Sequence, residues 1–179
     1  MKRGVAIIGI LLVLCICFCG CSEVGEEYFV YLEKGFCAEV EGMMNGQAIS
    51  AVVSLEAQKG GYLAEVRYLS PSTLKGLAVC GECDAKGVPF GVGRLSWEGC
   101  ESEADAHTVT GLLLPARAFL PSGELATVRR EDTGYSLTLT DGTALSVGEE
   151  GGPRWIKDES IELEIKWLEW IDDSDLAKE

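Results

Sequence analysis

The chain has 179 residues, a formal net charge of −14, 47% hydrophobic residues, eight cysteines and a single histidine. That length fits one domain, and the ordinary apolar share excludes a wholly disordered chain. Fifteen Lys and Arg against twenty-nine Asp and Glu repel a phosphate backbone and exclude nucleic acid as a partner.

The first twenty residues differ from the rest. Lys2 and Arg3 precede an apolar run of fourteen residues, Val5 to Phe18, without an acid. The run is short for a bilayer span, which needs about 20 residues, and has the form of a secretory signal peptide. Phe18-Cys19-Gly20-Cys21 resembles the lipobox of bacterial lipoproteins, in which a small residue precedes the acceptor cysteine. The resemblance implies removal of residues 1–20 and acylation of Cys21 as the mature N-terminus. Cys17 and Cys19 are worse acceptors, because Ile16 and Phe18 stand where a small residue is wanted. Two acyl chains give stable anchoring where one is marginal. The alternative is an uncleaved signal anchor. In both cases the body sits at the extracytoplasmic face of the cell membrane. Loss of Lys2 and Arg3 leaves thirteen bases against twenty-nine acids, or −16, which argues against a body lying flat on anionic lipid.

Residues 21–34 read as an acylated tether followed by a short helix carrying Tyr28, Phe29, Tyr31 and Leu32. From residue 35 the period becomes two. Phe36, Ala38 and Val40 alternate with Cys37, Glu39 and Glu41. Asn45-Gly46 is a hairpin signal, and Ile49, Ala51, Val53 and Leu55 alternate after it. Lys59-Gly60-Gly61 turns the chain into Tyr62, Ala64, Val66 and Tyr68, which completes a meander. Ser70 to Gly76 reads as one helical turn, with Pro71 at its first position. Strands are expected again over Leu77–Cys83 and Val88–Trp97. Residues 98–107 read as an acidic loop, and Leu112 to Pro121 as a short buried helix. Strand-like runs follow at Glu124–Arg130, Tyr135–Thr140, Thr143–Val147 and Ser160–Trp170, with Asp141-Gly142 as a hairpin turn. In the last run Ile161, Leu163, Ile165 and Trp167 share one face, and Leu168 and Trp170 switch to the other. Residues 172–179 form an acidic tail.

Alternating faces make one side of the sheet apolar, and short helices must cover it. The expected fold is therefore mainly β: a curved antiparallel sheet or half-barrel over a few short helices, in a single β-rich domain spanning 35–171. The order of elements resembles the LolA/LppX/RseB-like superfamily of lipoprotein carriers and regulators. The likeness rests on the helix at 26–34 leading into Phe36-Cys37-Ala38-Glu39-Val40-Glu41, and on Val66-Arg67-Tyr68-Leu69-Ser70-Pro71 with Leu74-Lys75-Gly76 after it. It implies a half-barrel whose apolar hollow holds acyl chains, and no catalytic residues.

Four body cysteines carry the remaining chemistry: Cys37, Cys80, Cys83 and Cys100. Cys80-Gly81-Glu82-Cys83 is a CxxC, but redox use wants its first cysteine at a helix N-terminus, and here it lies in a strand. Zinc on four thiolates usually needs two close pairs, and only one is present. Four cysteines allow three disulfide pairings. A bond from Cys100 to Cys80 or Cys83 is the expected one, with free thiols as the alternative. His107 is read as a solvated loop residue, without a nucleophile elbow. No catalysis and no cofactor are expected, with zinc on Cys37, Cys80, Cys83 and Cys100 left as the alternative. Two functions follow. One is a membrane-anchored binder or carrier of lipid or another apolar ligand, its pocket lined by Val53, Leu55, Val66, Leu137, Leu139, Ile165 and Trp167. The other is an envelope sensor acting through a protein partner, with Trp155, Trp170 and Arg129-Arg130 as contacts.

Overall fold

The structure, a computed structural model, describes residues 28–171. The leader, Cys21 and residues 172–179 lie outside the described residues. Helix α1 (Val30–Lys34) leads into strands β1 (Phe36–Met44), β2 (Gln47–Gln58), β3 (Gly61–Ser70), β4 (Ala78–Asp84), β5 (Pro89–Trp97) and β6 (Cys100–Asp105). Helices α2 (Ala106–Leu112) and α3 (Leu114–Arg117) follow. The chain then forms β7 (Leu125–Glu131), β8 (Gly134–Leu139), β9 (Ala144–Gly148), β10 (Pro153–Lys157) and β11 (Ile161–Trp170).

All eleven strands make one antiparallel sheet in the order β6-β5-β4-β3-β2-β1-β11-β10-β9-β8-β7. The chain starts at the centre and meanders out to one edge at β6. It crosses the inner face through α2 and α3 to the other edge at β7, and meanders back to the centre. The two meanders are joined where β1 pairs with β11, from Phe36↔Trp170 to Met44↔Ile161. Ten strand spacings measure roughly 48 Å along a flat sheet. A crossing segment of two short helices and a few extended residues reaches only about 40 Å. The sheet must therefore curl around the segment that crosses it.

The alternation read in the sequence sets the faces. Phe36, Ala38 and Val40 are buried, and so are Ile49, Ala51, Val53 and Leu55 on β2. The β1–β2 turn falls on Asn45 and Gly46, both at positive φ (50° and 77°), as a tight hairpin turn requires. Lys75 N–H donates to the Pro71 carbonyl at 3.0 Å, closing the expected single turn, although the Ser70–Pro71 peptide is cis.

Three expectations are corrected. Residues 98–107 are not an acidic loop: Cys100–Asp105 pair with β5 as the edge strand β6, from Trp97↔Cys100 to Val92↔Asp105. An edge strand open to water tolerates its acids. The single helix expected from Leu112 is two, because Asp105 caps α2 by accepting from Thr108 N–H, and Pro115 starts α3. Strand β10 was not expected at all. A register shift between Pro153 and Trp155 breaks the alternation that would mark it.

Candidate functional site

The inner face is an apolar wall built from cross-strand neighbours. Ala38, Val53, Val66 and Val79 stand side by side across β1 to β4. Leu137, Leu145, Ile156 and Leu163 do the same across β8 to β11. Ile165 sits opposite Val40 and joins the two halves. Of the pocket residues expected from sequence, Val53, Leu55, Val66, Leu137 and Leu139 are buried, and Ile165 packs partly buried against them in the same core.

Trp167 does not join them. Glu39 pairs with Trp167 but Val40 pairs with Ile165, so β11 carries one extra residue there. The bulge turns Trp167 to the outer face, where it is 42% exposed. Its indole N–H donates to Glu39 Oε2 at 2.9 Å. The face switch expected after Trp167 thus comes before it.

The wall is covered from inside. Val109 of α2 fits a notch at Gly93, where an added Cβ would lie 2.6 Å from Val109 Cγ1. Leu113, Ala116 and Phe119 are fully buried beneath the crossing segment. Two phenols fasten the cover: Tyr31 donates to the Phe119 carbonyl and Tyr68 to the Leu112 carbonyl, each at 2.8 Å. Burial raises both phenols above their ordinary value, Tyr68 to about 12. Rings stack edge to face from Tyr31 to Phe36 (5.8 Å) and from Phe36 to Phe119 (5.6 Å). Arg117 ties α3 down, its Nε donating to the Gly87 carbonyl and its Nη1 to the Thr110 carbonyl. In this state Val53, Leu55 and Val66 touch protein, and the wall is closed.

The outer face carries a second arrangement that the sequence did not reveal. Cys37, Ser54, Glu65, Cys80, Arg94 and Glu103 are direct neighbours across six strands. A groove of about 420 Å³ runs beside Glu65, Cys80, Arg94, Glu101 and Glu103. Burial is the main cause that lifts the thiols of Cys37 and Cys80 above their ordinary value. No local motif could have placed these residues in one row, because the row depends on strand register.

All four body cysteines are free thiols, so the expected bond from Cys100 to the CxxC is not made. Geometry gives the reason. Cys80 faces out and Cys83 faces in, so the CxxC is split between the two faces. Cys80 pairs with Arg94, and Arg94 with Glu103, three residues along β6 from Cys100. Two strand spacings and three residues of rise separate the sulfurs' backbones by well over the roughly 7 Å that a disulfide spans. Among the described residues no three His, Cys, Asp or Glu side chains stand together in a metal-holding group. His107 is exposed in the first turn of α2. Among the described residues no helix is long and apolar enough to cross a membrane.

No protein-family model matches this sequence, and no curated protein matches it. Solved structures resemble it in fold. One is a domain from Vibrio parahaemolyticus assigned to outer membrane lipoprotein sorting, with 9% identity, a TM-score of 0.42, and coverage of 87% of this chain and 95% of that one. A second is an uncharacterized conserved protein from Thermus thermophilus, with 12% identity, a TM-score of 0.47, and coverage of 86% and 90%. A third is a LolA superfamily protein from Nitrosomonas europaea, with 10% identity, a TM-score of 0.38, and coverage of 84% and 93%.

Proposed function

We propose that the protein is a lipid-anchored protein of the extracytoplasmic membrane face that binds a lipid or other apolar ligand and catalyses no reaction. The observation that carries this reading is the inner wall, a continuous apolar surface covered by helical pieces of only seven and four residues. Such a wall suits an acyl chain, whose burial contributes about 0.8 kcal/mol per methylene. Among the described residues few side-chain bonds fasten the helical pieces of the cover, chiefly those of Tyr31, Tyr68 and Arg117. Shifting the cover would let a ligand lie against Val53, Leu55, Val66, Leu137, Leu139 and Ile165. The free state is then the closed one, and the ligand takes the place of part of the cover. An acylated Cys21 would hold this wall next to the membrane that supplies the ligand.

Native mass spectrometry of the full-length protein, extracted from its host membrane in mild detergent, tests this. The expected result is a lipid-sized adduct that is lost on denaturation, distinct from covalent mass on the Cys21 peptide. A bare chain under native conditions, with no extractable lipid, overturns the ligand reading. An unmodified Cys21 overturns the anchor.

A second reading is an envelope protein that acts through a protein partner, and the two free edges of the sheet favour it. Strand β7 is exposed along nearly its whole length and presents Arg129 and Arg130. Strand β6, at the opposite edge, presents Glu101, Glu103 and Asp105. Trp155 and Trp170 are half-buried and make weaker contacts for a partner. Whole-cell cross-linking with the R129E/R130E double variant distinguishes the readings: loss of a cross-linked partner, with the fold retained, favours this one.

A further inference from the structure

The large exposed hydrophobic side chains are unevenly placed. Val88, Phe90 and Val92 are 53%, 47% and 61% exposed, and all three lie within five residues of the β4–β5 hairpin. Strand β6 covers β5 only as far as Val92, so Phe90 has β4 alone for a neighbour, opposite Glu82. We propose that this Val88–Phe90–Val92 flank rests in the headgroup region of the bilayer to which the acylated N-terminus is tied. The proposal rests on the anchor reading above.

Topology puts the flank and the chain start at one end of the sheet. The turns β2–β3, β4–β5, β7–β8 and β9–β10 all lie at the end where β1 begins and β11 finishes. Contacts link the two places directly. Tyr31 of α1 is bonded to Phe119, and the next residue, Leu120, packs on Gly87 in the β4–β5 turn. Seven residues lead from Cys21 to Tyr28, a reach of at most about 24 Å. An acylated Cys21 therefore holds this end of the sheet, and not the other, against the membrane.

Charge then selects which side of that end comes down. The β7–β8 and β9–β10 turns carry the exposed acids Glu131, Asp132, Glu149 and Glu150. The β2–β3 and β4–β5 turns present Lys59 and Lys86. The one acid of the β4–β5 turn, Asp84, is half-buried, and its Oδ1 accepts from the backbone N–H groups of Lys86 and Val88 at 2.9 Å each. The acid nearest the flank, the exposed Asp105 opposite Val92 on β6, is engaged as the α2 cap by the Thr108 N–H and hydroxyl. A tilt toward this side puts two ammonium groups at the phosphates and keeps the four acids in water. It also reconciles a strongly acidic body with membrane contact. Glu82, across from Phe90, limits the flank to the interface and keeps it out of the hydrocarbon.

The test is site-specific photo-cross-linking of the full-length, host-acylated protein in vesicles of phosphatidylethanolamine and phosphatidylcholine. The photoreactive p-benzoylphenylalanine replaces Phe90 in one variant and Trp97, at the opposite end of β5, in another. The expected result is lipid adducts on the Phe90 peptide in severalfold excess over the Trp97 peptide. Equal labelling of both, or labelling of neither with Cys21 acylated, overturns the proposal and leaves the anchor standing. An unacylated Cys21 in the intact mass overturns both. In a second arm, cross-linking in whole cells, a protein adduct at Phe90 in place of lipid also overturns the proposal.

Discussion

The Tyr31 hydroxyl donates to the Phe119 carbonyl at 2.8 Å across 88 residues of sequence, and the pair is buried. This bond joins the entry helix α1 to the segment that crosses the inner face. It also explains why Tyr31 is a tyrosine in an apolar site: Phe119 needs a donor there. Tyr31→Phe leaves that carbonyl unsatisfied away from water, at a cost of about 1–3 kcal/mol. The Tyr68→Phe change at the partly buried Leu112 carbonyl is expected to cost less, about 0.5–1.5 kcal/mol. Urea unfolding checks both, with midpoints lowered and the slope unchanged.

Gly93 and Gly111 make opposite predictions within one contact. A Cβ at Gly93 would meet both methyls of Val109, at 2.6 and 2.9 Å, and Val109 is buried with a short, branched side chain that cannot swing away. Gly93→Ala is expected to push α2 off the sheet and cost about 1–3 kcal/mol. Gly111 lies in α2 with open space around its added Cβ. Gly111→Ala should stabilise the fold by about 0.5–1 kcal/mol through helix propensity alone. Thermal melts of the two variants should move in opposite directions. Melts that both fall would refute the notch-and-knob account of α2 docking.

Much of the sheet was legible because a buried face imposes a period of two. Strands β1 to β3 and their turns follow directly from Phe36 to Tyr68. What escaped were the places where register departs from that period. Trp167 continues the apolar alternation of Ile161, Leu163 and Ile165 in sequence, yet the bulge opposite Glu39 and Val40 sends it outside. The shift at Pro153 hides β10 in the same way. The pairing of β1 with β11, and the outer row from Cys37 to Glu103, join residues far apart in the chain and leave no local trace. The acidity of Cys100–Asp105 suggested a loop, because an edge strand with water on one side need not be apolar. The wall itself, with Val53, Leu55, Val66, Leu137 and Leu139, was legible; the closeness of its cover was not.

The bulge at Trp167 separates two substitutions that sequence would treat alike. Leu163 is 1% exposed in the wall, so Leu163→Ala is expected to cost about 2–5 kcal/mol. Trp167 loses only surface packing and an exposed bond to Glu39, and Trp167→Ala should cost about 1 kcal/mol or less. Equal losses in urea denaturation would place Trp167 in the core and refute the bulge.

The thiols give a test that depends on pH. Cys83 is fully buried on the inner face, Cys37 and Cys80 are half-buried on the outer face, and Cys100 is exposed. Burial lifts the Cys83 thiol from its ordinary 9.0 to about 11; nearby Arg117 partly opposes the rise, and Asp84 adds to it. The thiolate is the reactive form, so alkylation by iodoacetamide at pH 8, mapped by peptide mass, should proceed at Cys100 first, then Cys37 and Cys80, and last at Cys83. The same shift acts on stability. The folded state keeps the Cys83 proton where the unfolded chain releases it. This contribution is full below pH 9 and is lost as pH rises toward 11. The wild-type urea midpoint should therefore fall between pH 9 and 11. Cys83→Ala starts lower, because it leaves a small cavity, and falls less steeply over that range, so the gap between the two proteins narrows. Parallel curves, or rapid alkylation of Cys83 in the folded protein, would place this thiol in contact with water and open the wall beside Tyr62.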